Sequence, residues 1–197
     1  MAETHTHHPE LTGYQISLRP VSKDDLQQLK NWRNDPEISR FMLSQTKISD
    51  EQQTAWFNKI CRDNSQQHYI IVYKDQDIGS LNIKSKIRAK SLLETPIIEP
   101  GLYIADPRYR NNILAFSPTL LINDYCFETL RCEKLVATVK SDNQAALNYN
   151  LKLGYQIVKQ GELIEIALNF EDYQKCSKSL KALLSRSPRP VKKEQRN

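Results

Sequence analysis

Apolar and polar positions alternate with a period of two over Ile16 to Val21 and then take a helical spacing, so the chain opens with a strand and a helix reaching about Asn34. Ser22 and Asp25, three apart at the junction, form a variant of the capping box that opens a helix. Asp35-Pro36 interrupts that helix, and a short helical piece is expected from Glu37 to Leu43. Ser49 and Gln52 form a second capping box, and the helix from Asp50 places Trp56, Phe57 and Ile60 on one face. His68 to Tyr73 and Ile78 to Ile83 then read as a hairpin turned at Lys74 to Asp77. Polar Arg88 to Thr95 interrupts the strands as a rim loop.

In the second half a short apolar run, Ile97 to Ala105, meets turn chemistry at Asp106 to Asn112 and then a helical pattern from Leu114 to Leu130. Pro118, behind Ser117, suits the first turn of a helix, where its missing N–H costs little. A helix launched from a strand end offers unpaired N–H groups and the positive end of its dipole, so the residues around Arg110 make an anion cradle. The strand Lys134 to Lys140 and the helix Asp142 to Leu153, with Gly154 as its C-cap, complete a βαβα unit. Gln156 to Lys159 and Leu163 to Leu168 form two further strands turning at Gln160-Gly161, and Glu171 to Leu184 closes the domain. The order predicts an α+β domain, a mixed sheet flanked by helices, over residues 14–184.

Size and composition narrow the function. A chain of 197 residues fits one domain with tails, and 39% hydrophobic with 26% charged residues suits a soluble globular protein. No apolar run approaches the roughly 20 residues that span a bilayer, and the start has no secretory signal, so a cytoplasmic protein without a membrane partner is expected. Cys61, Cys126, Cys132 and Cys176 lack metal-type or disulfide-framework spacing. The net charge of +5 includes a basic, proline-containing tail over 185–197, read as disordered, as are residues 1–13. Without aromatic residues that tail has no base-stacking platform, which argues against nucleic acid as a partner.

Asp106-Pro107-Arg108-Tyr109-Arg110, then Asn143, then Lys152-Leu153-Gly154-Tyr155 resemble the acyl-CoA-binding half of the GNAT superfamily of N-acetyltransferases. Asn143 and Gly154 keep that family's interval of eleven residues. In the phosphate loop Arg110 and Ala115 fit, while Ile113 stands where the pattern has its middle glycine, and Asn111 and Asn112 offer some of the missing backbone freedom. The resemblance covers about residues 14–173. It implies a mostly antiparallel sheet with two splayed strands holding acetyl-CoA as co-substrate, and no metal. Leu102, Tyr103 and Ile104 would line the splay, with backbone N–H groups around Tyr103 facing the thioester. Arg110, Asn111, Asn112, Ile113, Leu114 and Ala115 would hold the diphosphate, with Asn143 and Asn150 beside the pantetheine.

Acetyl transfer to an amine needs a neutral amine, a stabilised oxyanion and a protonated leaving thiolate. Glu99 is either the general base, on one strand face with Gly101 and Tyr103, or a rim carboxylate paired with a lysine, and Pro100 raises a local bulge as an upset to that parity. For the general acid, Tyr149 stands one residue before the family's tyrosine position, which Asn150 occupies, and solvent is the alternative. Trp32-Arg33-Asn34 resemble a motif of the branch that acetylates protein N-termini and nucleotide-linked amino sugars, with Arg33 facing an anionic acceptor. Trp32 also reads as a core plug. The expected reaction is N-acetylation of an amino sugar or sugar nucleotide by direct attack in a ternary complex. A protein or peptide N-terminus is the runner-up, an aminoglycoside or polyamine follows, and a CoA-binding module without catalysis is the alternative of a different class. A monomer or homodimer fits either.

Overall fold

A computed structural model describes residues 8–186 of the chain. Most of the basic tail therefore lies outside the described residues, as do residues 1–7. One domain boundary changes. Leu11–Gly13 forms strand β1, paired antiparallel with β2 (Ile16–Pro20), so the sheet begins inside the segment read as a tail. Three residues ending in glycine are too short a run to show alternation, and their position comes from pairing with β2.

Helices α1 (Leu26–Asn34), α2 (Pro36–Ser39) and α3 (Asp50–Ile60) follow. Both capping boxes act as the sequence predicts: the Ser22 N–H donates to the Asp25 carboxylate at 2.7 Å, and the Ser49 N–H to the Gln52 side chain at 2.9 Å. α2 is shorter than the helical piece expected up to Leu43. β3 (Gln66–Tyr73) and β4 (Gln76–Ser85) form the expected hairpin, with Lys74 and Asp75 both left-handed (φ 48° and 59°), as the twist of a two-residue hairpin turn requires.

β5 (Ile97–Ile104) and β6 (Lys134–Lys140) are joined through α4 (Ser117–Asp124). The continuous helix expected over Leu114 to Leu130 is three pieces, a 3-10 turn (Ile113–Phe116), α4 and a π turn (Tyr125–Thr129). α5 (Gln144–Lys152), β7 (Gln156–Lys159), β8 (Leu163–Asn169) and α6 (Phe170–Leu184) complete the chain. Gly154 closes α5 at φ 100°, and a Cβ there would lie 2.8 Å from the Asp172 carbonyl oxygen, so both conformation and space call for glycine.

The eight strands form one sheet in the order β1-β2-β3-β4-β5-β6-β8-β7. Every pairing is antiparallel except β5 with β6. The main core lies on the side of α4, α5 and α6, where Leu18, Tyr69, Leu81, Ile98, Leu135 and Ile166 meet Leu120, Leu147 and Tyr173. On the other face Leu29, Ile38, Ile60 and Ile70 are buried with α1, α2 and α3. The sheet thus carries two layers of helices, and the site forms where its one parallel pairing fails.

Candidate active site

β5 and β6 pair only at Ile97 with Lys134 and Ile98 with Leu135, although both strands continue to Ile104 and Lys140. The hydrogen bonds at the strand ends fix which backbone groups face the opening. Lys86 N–H donates to Ile97 and Ala105 N–H to Ile78, so odd positions of β5 bond to β4 and even positions face β6. Lys134 N–H donates to Pro96, so even positions of β6 face β5. Pro100 therefore falls at the next rung of the parallel ladder with no N–H to give, and the strands part there. Pro100 makes no bulge, because β4–β5 register runs unbroken from Ser85–Ile98 to Gly79–Ile104.

Beyond that point the gap is lined by the backbone of Leu102 and Ile104 on one side and of Val136 and Thr138 on the other. Of the backbone groups around Tyr103, those of Leu102 and Ile104 face the gap, while the N–H of Tyr103 itself turns to β4. Two facing strands with unused amide groups are the setting into which an amide-bearing pantetheine can add as an extra strand. Leu102 and Ile104 place their side chains against the main core.

The loop at the far end of β5 is built differently from the expectation. The Arg110 guanidinium turns back and donates to the carbonyls of Ile104 (2.9 Å) and Ala105 (2.7 Å), so the side chain braces the end of β5 instead of reaching outward. Asn112 caps the following turn through Leu114 N–H at 2.9 Å, and Ala115 N–H donates to the Asn112 carbonyl. The N–H groups of Asn111, Asn112 and Ile113 have no partner among the described residues and are the ones left for an anion. No residue from Arg110 to Ala115 has a positive φ. The left-handed freedom of Asn111 and Asn112 is thus not used, and the loop takes its path with Ile113 in place of glycine. Arg108 is exposed and paired with Asp106 and Gln76.

On the α1 face, Glu99, Gly101 and Tyr103 stand in succession along β5 opposite Lys84, Asn82 and Ser80 of β4. Lys86 Nζ lies 3.2 Å from the Glu99 carboxylate, which is about one-third exposed (30%). The Trp32 indole meets the Tyr103 ring edge-on at 6.3 Å between centroids, so α1 walls the site through this residue. Burial pushes the Tyr103 phenol up to about 12, opposed by the Arg33 charge and the Ser80 hydroxyl. Arg33 is half-buried and has no hydrogen bond or ion pair among the described residues.

Asn34 departs from its expected place among acceptor contacts. Its carboxamide is engaged at both ends by Ile48, donating to the carbonyl at 2.9 Å and accepting from the N–H at 2.8 Å, which clips the end of the 40–49 loop to α1. Lys140, at the end of β6, donates to the Arg40 carbonyl at 3.1 Å and holds the start of that loop.

The helix expected from Asp142 starts two residues later as α5, and Asn143 is its N-cap, accepting from Ala146 N–H at 3.1 Å. The Tyr149 hydroxyl donates to the Ala115 carbonyl at 3.0 Å, lies 2.5 Å from Thr119 Oγ1, and its ring stacks on Phe116 at 4.6 Å. Burial raises this phenol's pKa beyond the ordinary tyrosine range. Asn150 donates to the Ala146 carbonyl within its own helix. Asn143, Tyr149 and Asn150 thus share the helix next to the loop, and Tyr149 faces the loop's underside.

His68, opposite Asn82 on β3, is buried against Trp56, with Nε2 2.8 Å from Gln66. Burial lowers its pKa from the ordinary 6.5 to about 3, with the Lys84 charge adding to the effect and Asp63 opposing it. The unfolded chain therefore binds this proton below about pH 6.5 while the folded chain does not, and stability falls as pH drops from 6.5 toward 3. The slope from this residue is at most about 1.4 kcal/mol per pH unit. Urea unfolding at pH 7, 6 and 5 is expected to show that decline, and His68→Gln to flatten it.

Residues 15–156 match the family profile described as an acetyltransferase (GNAT) domain. Acetyltransferase PseH of Campylobacter jejuni serotype O:2 is 32% identical over 136 residues, 67% of this chain and 79% of that protein. Spermidine N(1)-acetyltransferase of Escherichia coli K12 is 22% identical over 153 residues, 78% of each chain. The structure of FdhC, described as a nucleotide-linked sugar GNAT, shares the fold with a TM-score of 0.72 at 19% identity, covering 91% of this chain and 100% of that one. No helix among the described residues is long and apolar enough to cross a membrane. With a profile over most of the domain and a strand gap that suits an acyl-CoA, the chain belongs to the GNAT acetyltransferases, N-acetyltransferases that use acetyl-CoA.

Proposed function

We propose that this enzyme acetylates the primary amine of an amino sugar carried on a nucleotide, in the cytoplasm and by direct attack within a ternary complex. The observation that carries the reading is Arg33, a half-buried guanidinium without a partner, held on the α1 face where the acceptor must enter. A half-buried guanidinium with no ion pair is open to a phosphate or diphosphate on the acceptor, which would accept two parallel hydrogen bonds from it. Trp32 and Tyr103 give an aromatic wall beside it, suited to the apolar face of a sugar ring. Lys84 and Lys86 add positive charge around Glu99, which opposes a polyamine in this pocket. The sugar-directed reading also agrees with FdhC, a structural relative described as a nucleotide-linked sugar GNAT.

In this reading Glu99 accepts the proton released by the amine, directly or through a water. The Leu102 N–H, turned into the gap, is the donor aimed at the developing oxyanion. The free amides of Asn111, Asn112 and Ile113 and the positive end of the loop's turns hold the diphosphate, while Arg110 keeps the end of β5 in place for them. Tyr149, whose hydroxyl is already engaged, ties α5 to that loop, and the departing thiolate takes its proton from solvent.

Thiol release from acetyl-CoA, measured against nucleotide-linked amino sugars, free amino sugars, peptides and spermidine, tests the proposal. The nucleotide-linked amines are expected to give the highest kcat/KM. Arg33→Ala is expected to raise KM for those acceptors about tenfold or more, with little change for a free amino sugar. Equal rates on peptides or spermidine, or indifference to Arg33→Ala, would overturn the acceptor assignment. Acetyl-CoA binding without turnover on any amine would favour a binding module instead.

A further inference from the structure

Gly101 lies between Glu99 and Tyr103 on the α1 face of β5, so that face presents a carboxylate, a stretch of bare backbone and a phenol. Its cross-strand partner is Asn82. A Cβ on Gly101 would sit 3.4 Å from Asn82 Nδ2 and 3.6 Å from Oδ1, so the carboxamide leans over the glycine. Asn82 is half-buried, and neither end of its amide has a hydrogen-bond partner among the described residues. The neighbours on this face are engaged elsewhere: Ser80 donates to the Tyr69 carbonyl, and His68 pairs with Gln66. Both ends of this amide are therefore open to hydrogen bonds from a ligand in the pocket.

We propose that Asn82 binds the acceptor amine, its Oδ1 accepting one amine N–H while Glu99 receives the proton that leaves. This rests on the acetyltransferase reading above and names a residue that orients its nucleophile. The amine has to approach from the α1 face, because the opposite face of β5 is closed by Leu102 and Ile104 packed on the core. Gly101 is where β5 leaves room on that side. With the nitrogen lone pair directed into the gap, its N–H bonds point back toward β4 and the rim, where Asn82 and Glu99 stand. The nitrogen forms its bond to the acetyl carbon as the carbon–sulfur bond breaks. The thiolate departs with that electron pair, the surplus proton goes to Glu99, and Asn82 neither gains nor loses a proton.

The test uses the full chain with the amine that the wild type acetylates fastest. Asn82→Ala is expected to lower kcat/KM for that amine by roughly 10- to 100-fold, mostly in kcat, since a misdirected nucleophile loses near-attack geometry. Its calorimetric dissociation constant for acetyl-CoA is expected to stay within about twofold of wild type. Gly101→Ala, whose methyl would fill the niche at ordinary contact distance, is expected to act in the same direction with the same acetyl-CoA affinity. Asn82→Asp keeps an acceptor oxygen but adds a negative charge that favours the ammonium form. It is expected to retain more activity than the alanine variant and to move the acid limb of the kcat/KM profile to higher pH. Glu99, Lys84, Lys86, His68, Tyr103 and Arg33 also face this pocket and are unchanged in the comparison. Asn82→Ala turnover within twofold of wild type would overturn the assignment while leaving the acetyltransferase reading intact. A wild type that acetylates no amine would overturn both.

Discussion

Glu99→Gln is expected to lower kcat by about 10²- to 10⁴-fold, the usual worth of a positioned general base, with acetyl-CoA affinity unchanged. The substitution keeps the side chain's size and still offers an oxygen to Lys86, 3.2 Å away, so what it removes is the ability to take a proton. Lys86→Met is the matching control, and it is expected to leave kcat near wild type. The position argues for the larger effect: Glu99 sits on the face of β5 that holds Tyr103 and meets Trp32, one residue before the proline at which β5 and β6 part. Glu99→Gln turnover within about threefold of wild type would instead make the carboxylate a rim partner of Lys86.

Asp124→Ala is expected to cost about 3–5 kcal/mol of stability, because it removes the carboxylate shared by Tyr14, Tyr173 and Lys181 and leaves the Lys181 charge uncompensated, while Tyr173 keeps the Leu120 carbonyl at 2.9 Å. One carboxylate oxygen accepts from Tyr14 at 2.5 Å, and the other from Tyr173 at 2.7 Å, with Lys181 Nζ at 2.6 Å. Burial, reinforced by this carboxylate, raises both phenols beyond the ordinary tyrosine range, so both remain donors at any working pH. The cluster joins the β1–β2 turn, the end of α4 and α6, and Gln15 adds a hydrogen bond to the Leu184 carbonyl at 3.1 Å. A fall in Tm of about 10 °C is the expected reading. Asp124→Asn, which keeps one acceptor oxygen, is expected to lose less. A loss below about 1 kcal/mol for the alanine variant would mean that the cluster contributes no more than an exposed ion pair.

Much of the fold was legible because local chemistry and tertiary structure agree. β6 was read as Lys134 to Lys140 and forms over those residues, and the Ser49–Gln52 box opens α3 as its spacing requires. Gly154 ends α5 in the left-handed region, a demand that only the glycine itself announces. What the sequence leaves open shares one cause, which is that partners distant in sequence decide where a polar side chain points. Asn34 lies in a motif suggestive of acceptor contact, yet Ile48 uses both ends of its amide. Arg110 stands at the expected place in the loop, and its guanidinium donates to two carbonyls at the end of β5. Tyr149 is drawn to Ala115 and Thr119.

The parity of β5 shows the same limit. Alternation correctly puts Glu99, Gly101 and Tyr103 on one face, but which amides face the gap depends on the ladder with β4. That ladder assigns the opening to Leu102 and Ile104 and makes Pro100 the point of separation. Asn82 is not legible as a site residue in the sequence, since an asparagine within a hairpin strand carries no signal by itself. Its meaning appears only with the register that sets it over Gly101.

Residue-resolved amide hydrogen exchange with and without coenzyme A reads the occupancy of the β5–β6 gap directly. The Leu102 and Ile104 amides, together with those of Asn111, Asn112 and Ile113, are expected to become protected on binding, while Tyr103, already bonded to β4, changes little. Binding that leaves Leu102 and Ile104 exchanging as before, or that protects a different strand edge, would contradict a cofactor seated in that gap.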